Sequence, residues 1–192
     1  MNVYESCPVF QKGDLSLRLV RQEDCSALLR VYSDPKAQKL FNGDNCNGDN
    51  FCYVCEEQMQ MAIEFWLLSY KRGDFVRWTV CHKDMPVGTV ELFRRESEDE
   101  FGGAGILRLD LRSDFEKKEF ILEILSLILP KSRELFGCDF VAAKIHEEGI
   151  IRREAFVEKG FTPSPHKLIG HDGTEYGDYF LQSLPLGGKV DC

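Results

Sequence analysis

The 192-residue chain is long enough for one domain with a sizeable core and short for two. Its composition, 43% hydrophobic and 29% charged with 14 Phe, is that of a globular protein rather than a fibrous or disordered one. Lys and Arg number 24 against 32 Asp and Glu, and the resulting charge of -8 speaks against nucleic acid or an anionic membrane as main partner while permitting a cationic amine.

No stretch reaches the roughly 18 apolar residues that a bilayer-spanning helix needs. Met1–Lys12 lacks the basic-then-apolar order of a signal peptide, so eight cysteines point to reduced thiols and a cytoplasmic location. Residues 1–192 are read as a single domain, with 1–12 and 187–192 expected to be loose ends.

Leu15–Val20 (LSLRLV) alternates apolar and polar residues, the pattern of a half-buried strand. Ala27, Leu28, Val31 and Tyr32 follow at helical spacing, and Asp34-Pro35 ends that helix because the residue before proline is pushed out of the helical region. Asn42–Asn50 (NGDNCNGDN) is turn chemistry throughout. A long helix is predicted over Tyr53–Lys71, closed by Arg72-Gly73-Asp74. Phe75–Cys81 and Val87–Phe93 read as the arms of a hairpin turning at Lys83-Asp84-Met85-Pro86. Glu96–Glu100 is an acidic loop and Gly105–Leu111 another strand. Phe120–Leu129 is a strongly apolar helix that Pro130 should break or kink. Asp139–Ile145 reads as a strand, Ile150–Lys159 as a helix and Tyr176–Leu184 as a last strand, with no internal repeat.

This order resembles the GNAT N-acetyltransferase superfamily, most closely its branch that acetylates ribosomal proteins and related amines. Three local patterns add to it. Residues 15–24 (LSLRLVRQED) resemble the opening strand that turns into the first helix, and Val87-Gly88-Thr89-Val90 is similar to the third strand. Residues 156–161 (FVEKGF) look like the closing "L-E-K-x-G-F" turn. The resemblance implies an α/β fold, a central twisted sheet of about six or seven strands flanked by helices.

It also implies acetyl-CoA as co-substrate, with no metal, lying between two diverging strands. Its pyrophosphate would rest on the turn that starts the next helix, where backbone N–H groups point at the anion. On this chain the donor would meet Leu109 and Leu111, the turn residues Lys117, Lys118, Glu119 and Phe120, and then Gly149 and Arg152. The implied acceptor is a small-molecule amine or a protein N-terminus, and a homodimer is compatible with the family.

The chain departs from the family where the donor should sit. Glu116 stands at the usual arginine, Glu119 at the glycine and Ile121 at the last small residue, with no glycine between Leu107 and Phe136. Gly149 and Arg152 replace an Asn and a small residue, and Phe156 replaces a tyrosine. Three functions stay open: an N-acetyltransferase, a degenerate non-catalytic member that binds another ligand or a partner, or a transferase with a different acyl donor or an altered donor pose. For the first, the strands should diverge and the turn 114–120 should leave N–H groups free. Carboxylates filling that turn would favour the second.

Amine acetylation needs a proton acceptor. Glu91 is one candidate, its other reading a solvent-facing strand residue. Asp110 is a second, its other reading an ion pair with Arg108, which shares its strand face. His146 is a third, either base or substrate ligand, otherwise a surface histidine beside Glu147 and Glu148. Cys46, Cys52 and Cys55 are read as incidental thiols rather than a zinc site, since the paired knuckles of such sites are absent. Phe51, Tyr53 and Trp66 either shape an acceptor pocket or, for Trp66, belong to the core. Arg152 and Arg153 could hold a phosphate or form a solvated helix face.

Overall fold

The computed structural model describes residues 2–185. Its strands are β1 Phe10–Lys12, β2 Leu15–Leu19, β3 Val76–His82, β4 Met85–Arg94, β5 Ala104–Leu111, β6 Phe140–Lys144, β7 Thr162–Pro163, β8 Leu168–Ile169, β9 Glu175–Tyr176 and β10 Tyr179–Ser183. The helices are α1 Cys25–Tyr32, α2 Glu56–Arg72, α3 Lys118–Phe136 and α4 Ile150–Glu158. Eight strands form one sheet in the order β1-β2-β3-β4-β5-β6-β10-β7, and β8 and β9 pair separately. All neighbours in the large sheet are antiparallel except β5 and β6. The mixed α/β fold expected from the element order is the one observed; β1 and β7 are too short for alternation to reveal.

Alternation along the central strands decides the layers. Trp78, Val90 and Leu109 lie side by side in register, and with Leu17, Val80, Leu107 and Leu111 they face α3 and α4. From α3, Ile121, Ile124, Leu125 and Ile128 bury completely in this layer. On the opposite face α1 and α2 cover the sheet with a second cluster that includes Leu28, Tyr32, Ile63 and Trp66.

Turn residues act where a side chain would not fit. Gly88 of β4 passes so close to β5 that an added Cβ would collide with the Asp110 carbonyl. Gly73 and Gly160 close α2 and the α4–β7 turn at φ 83° and 92°, a region that costs other residues about 1 kcal/mol or more.

Three sequence expectations need correction. Pro130 neither ends nor splits its helix: α3 runs on to Phe136 and Gly137, because packing of its apolar face outweighs one missing N–H bond. Pro86 lies in β4 beside a register shift, and the hairpin turns at Lys83 and Asp84, both at positive φ. Residues 2–12 are fastened rather than loose: Val3 is buried, Tyr70 donates to its carbonyl at 3.0 Å and Trp78 donates to that of Pro8 at 3.0 Å. Gly187–Cys192 lies outside the described residues.

Candidate active site

β5 and β6 run parallel only from Ala104↔Phe140 to Leu107↔Ala143, and beyond that register the strands pair no further. Residues 108–111 of β5 therefore line a gap on their β6 side while staying paired to β4. Leu109 turns its carbonyl into the gap, where Arg152 donates to it at 2.7 Å. A strand residue directs N–H and C=O to the same side, so its N–H faces the gap too.

The chain leaves β5 through a short 3-10 turn, Ser113–Phe115, and enters α3 at Lys118. The N–H groups of Lys118, Glu119 and Phe120 have no partner among the described residues, as expected at an uncapped helix start. Carboxylates do not fill this turn. Asp114 pairs with Arg112 at 2.6 Å, and Glu116 takes two bonds from Arg152 at 2.8 Å each. Lys118 binds Glu158 at 2.8 Å, Lys117 is exposed and Glu119 points to solvent. The backbone frame thus fits a pyrophosphate group, while the lysines contribute less than expected, one of them being spent on an ion pair.

The face of β3, β4 and β5 turned toward α1 and α2 carries two buried polar rows. In the first, Arg77, Glu91 and Arg108 lie opposite one another; in the second, Thr79, Thr89 and Asp110 do. Arg77, 1% exposed, donates to Glu91 from Nε (3.0 Å) and Nη2 (2.5 Å), and from Nη1 to Tyr32 (2.9 Å) and Asp110 (3.2 Å). Its guanidinium lies 4.2 Å from the Trp66 ring centre, so Trp66 caps the charge as well as filling the core. Arg108 donates to the other Glu91 oxygen at 2.8 Å.

These contacts separate two carboxylates that look alike in sequence. Burial opposes ionisation of Glu91, but Arg77 and Arg108 outweigh it and hold its pKa below the usual glutamate value. Burial dominates at Asp110 and pushes its pKa up, against the pull of Arg77 and the Tyr32 hydroxyl. Glu91 therefore does not face solvent and is held between two guanidinium groups. Asp110 does not pair with Arg108; its partners are Arg77 and Tyr32, which donates at 2.9 Å. Same-strand residues two apart share a face, but their neighbours across the ladder lie closer.

The segment 40–44 crosses over the β5–β6 gap. Arg152 donates to the Leu40 carbonyl at 2.9 Å, and His146 Nε2 lies 2.9 Å from that of Phe41. Asp44 accepts Lys144 of β6 at 2.8 and 2.9 Å and Tyr179 at 3.1 Å, and its carbonyl takes Arg108 of β5 at 2.7 Å. Arg152, 3% exposed, is neither a solvated helix residue nor open to a phosphate, and His146 is tied to backbone. Gly149 is the residue before α4, with a Cβ position 3.2 Å from the His146 carbonyl.

Next to this crossing lies a cavity of about 1260 Å³, floored by Arg77, Glu91 and Arg108 and walled by Phe51, Tyr53, Trp66 and Phe93. The three aromatic residues singled out in the sequence do line it. Arg77, Tyr32, Asp44 and Lys144 are the site residues that sequence reasoning passed over. An arginine inside FVRWTVC is a visible anomaly only if both faces of its strand are buried, and Asp44 reads as one more turn former among asparagines. Cys46 and Cys52 turn their Sγ toward the Asp44 and Asn50 carbonyls, and among the described residues no group of three or more His, Cys, Asp or Glu could hold a metal. Nor is any described helix long and apolar enough to cross a membrane.

The acetyltransferase (GNAT) domain family matches residues 14–162, more than half of the chain, and the chain belongs to that family. Solved structures agree on the fold. RimL, a ribosomal L7/L12 alpha-N-protein acetyltransferase in complex with coenzyme A, superposes with a TM-score of 0.68 at 12% identity, covering 92% of this chain and 98% of that one. Mycobacterium smegmatis RimJ in complex with CoA-disulfide gives 0.67 at 13% identity, over 91% and 84%. The Salmonella typhimurium acetyltransferase that modifies the N-terminal serine of L7/L12 gives 0.67 at 12% identity, over 93% and 100%. No protein of curated function matches the sequence.

Proposed function

We propose that this GNAT protein is an acetyl-CoA-dependent N-acetyltransferase that modifies a small-molecule amine or a protein N-terminus. The observation that carries the reading is the parting of β5 from β6 after Leu107↔Ala143, next to an uncapped α3 start. Leu109 and Leu111 would flank the donor, and the N–H groups of Lys118, Glu119 and Phe120 would receive its pyrophosphate. Bound acetyl-CoA supplies an acetyl group activated as a thioester. The Leu109 N–H, on the gap side of β5, would donate to the acyl oxygen, where negative charge grows during attack. The acceptor would occupy the aromatic cavity. Glu91 lines that cavity between two guanidinium groups, whereas Asp110 lies buried behind it against Tyr32 and Arg77, so Glu91 is the carboxylate within reach of the acceptor.

Calorimetric titration with acetyl-CoA tests this. Saturable binding at about micromolar concentration, with thiol release in the presence of amines, is the expected result. Silence at roughly millimolar cofactor sinks the reading. That outcome would leave a non-catalytic binding domain, the reading favoured by Glu116 at the usual arginine position in the grip of a buried arginine.

A further inference from the structure

Four of the five N–H groups of Arg152 are spent inside the molecule: two on Glu116 of the turn, one on the Leu40 carbonyl and one on the Leu109 carbonyl. The Leu109 contact matters most. It ties up the backbone group of β5 that any ligand lying along this strand edge would meet. Arg152 comes from the first turn of α4, Glu116 from the turn before α3, and Leu40 from the segment crossing above. One buried guanidinium thus ties together three chain segments around the gap.

We propose that the Arg152–Glu116 pair is an internal bolt that determines donor admission: the wedge between β5 and β6 is closed in the free protein and takes a CoA-type donor only when Arg152 withdraws. This rests on reading the gap as the donor site. The chemistry favours closure, because a buried bidentate guanidinium–carboxylate pair with all used donors satisfied is costly to break from one side. A ligand that binds only the open form has its affinity reduced by the fraction of molecules that are open. The sign follows from the contacts: Arg152 is a competitor of the donor for Leu109, not its partner. Removing the competitor strengthens binding, although a positive charge is lost.

Titration of wild type, Arg152→Ala and Glu116→Ala with free CoA tests the bolt, with thermal unfolding as a check that each variant folds. The expected result is binding by wild type at about micromolar concentration and binding tighter by about tenfold or more in Arg152→Ala. Glu116→Ala, which unlocks the same pair from its loop side, should show a gain of the same sign and serves alone if Arg152→Ala fails to fold. Equal affinity in all three overturns the bolt and leaves the donor site standing. Weaker binding in Arg152→Ala also overturns it and makes Arg152 a donor ligand. Silence of all three at roughly millimolar CoA removes the donor site itself, and the bolt with it.

Discussion

The two faces of β3, β4 and β5 are made of alternate residues of the same strands, yet they are held by different forces. Toward α3 the contacts are apolar: Trp78, Val90 and Leu109 meet Ile121, Ile124 and Ile128. Toward α1 and α2 the sheet carries Asp110, Arg77, Glu91 and Arg108, joined in that order by ion pairs. The apolar face gains from area and accepts many side chains of similar volume. The polar face gains little net energy from each pair, but it admits only the register and helix placement that satisfy every charge. The first face therefore stabilises the fold, and the second fixes where the candidate site residues stand.

The contrast predicts unequal responses to mutation. Arg77→Ala should do the most damage, since it leaves Glu91 with one partner and Asp110 without its cation. A loss of about 3–5 kcal/mol is expected, and a Tm lower by about 10 °C in a thermal melt. A drop no larger than that of a surface substitution would show that the polar face is dispensable.

Glu91→Gln should cost less at neutral pH and carry a pH signature. The folded-state pKa of Glu91 is lowered, so its contribution is fully present above the ordinary glutamate value of about 4.3. It is lost as pH falls through the lowered folded value. Wild type and variant should converge in urea stability on acidification; a constant gap across that range would contradict the ion-pair account. The smallest effect is expected on the other face, where Ile128→Val removes one methyl group from a fully buried site. About 1 kcal/mol is expected by chemical denaturation.

Legibility in the sequence followed the same division. Strand alternation and helical spacing placed β2 to β6 and α1 to α4 close to where they lie, because those periods are set by local geometry. The VGTV and FVEKGF patterns each mark a glycine the fold requires, Gly88 by the close approach of the β5 backbone and Gly160 by its positive φ. The aromatic residues of the cavity were legible as a group. The state of the carboxylates was not. Glu91 and Asp110 sit two registers apart on neighbouring strands, and what separates them is the position of Arg77 and Tyr32.

The sequence alone determined the class of fold, the family resemblance and the absence of glycine from the donor turn, since each is a property of residues near one another in the chain. Only the tertiary structure decided that the turn nonetheless keeps its N–H groups free, and that Arg152 and the segment 40–44 stand in the gap. Those facts depend on contacts between positions as far apart as Leu40, Leu109, Glu116 and Arg152. A guanidinium chooses its partners by geometry in space, and no local periodicity records that choice.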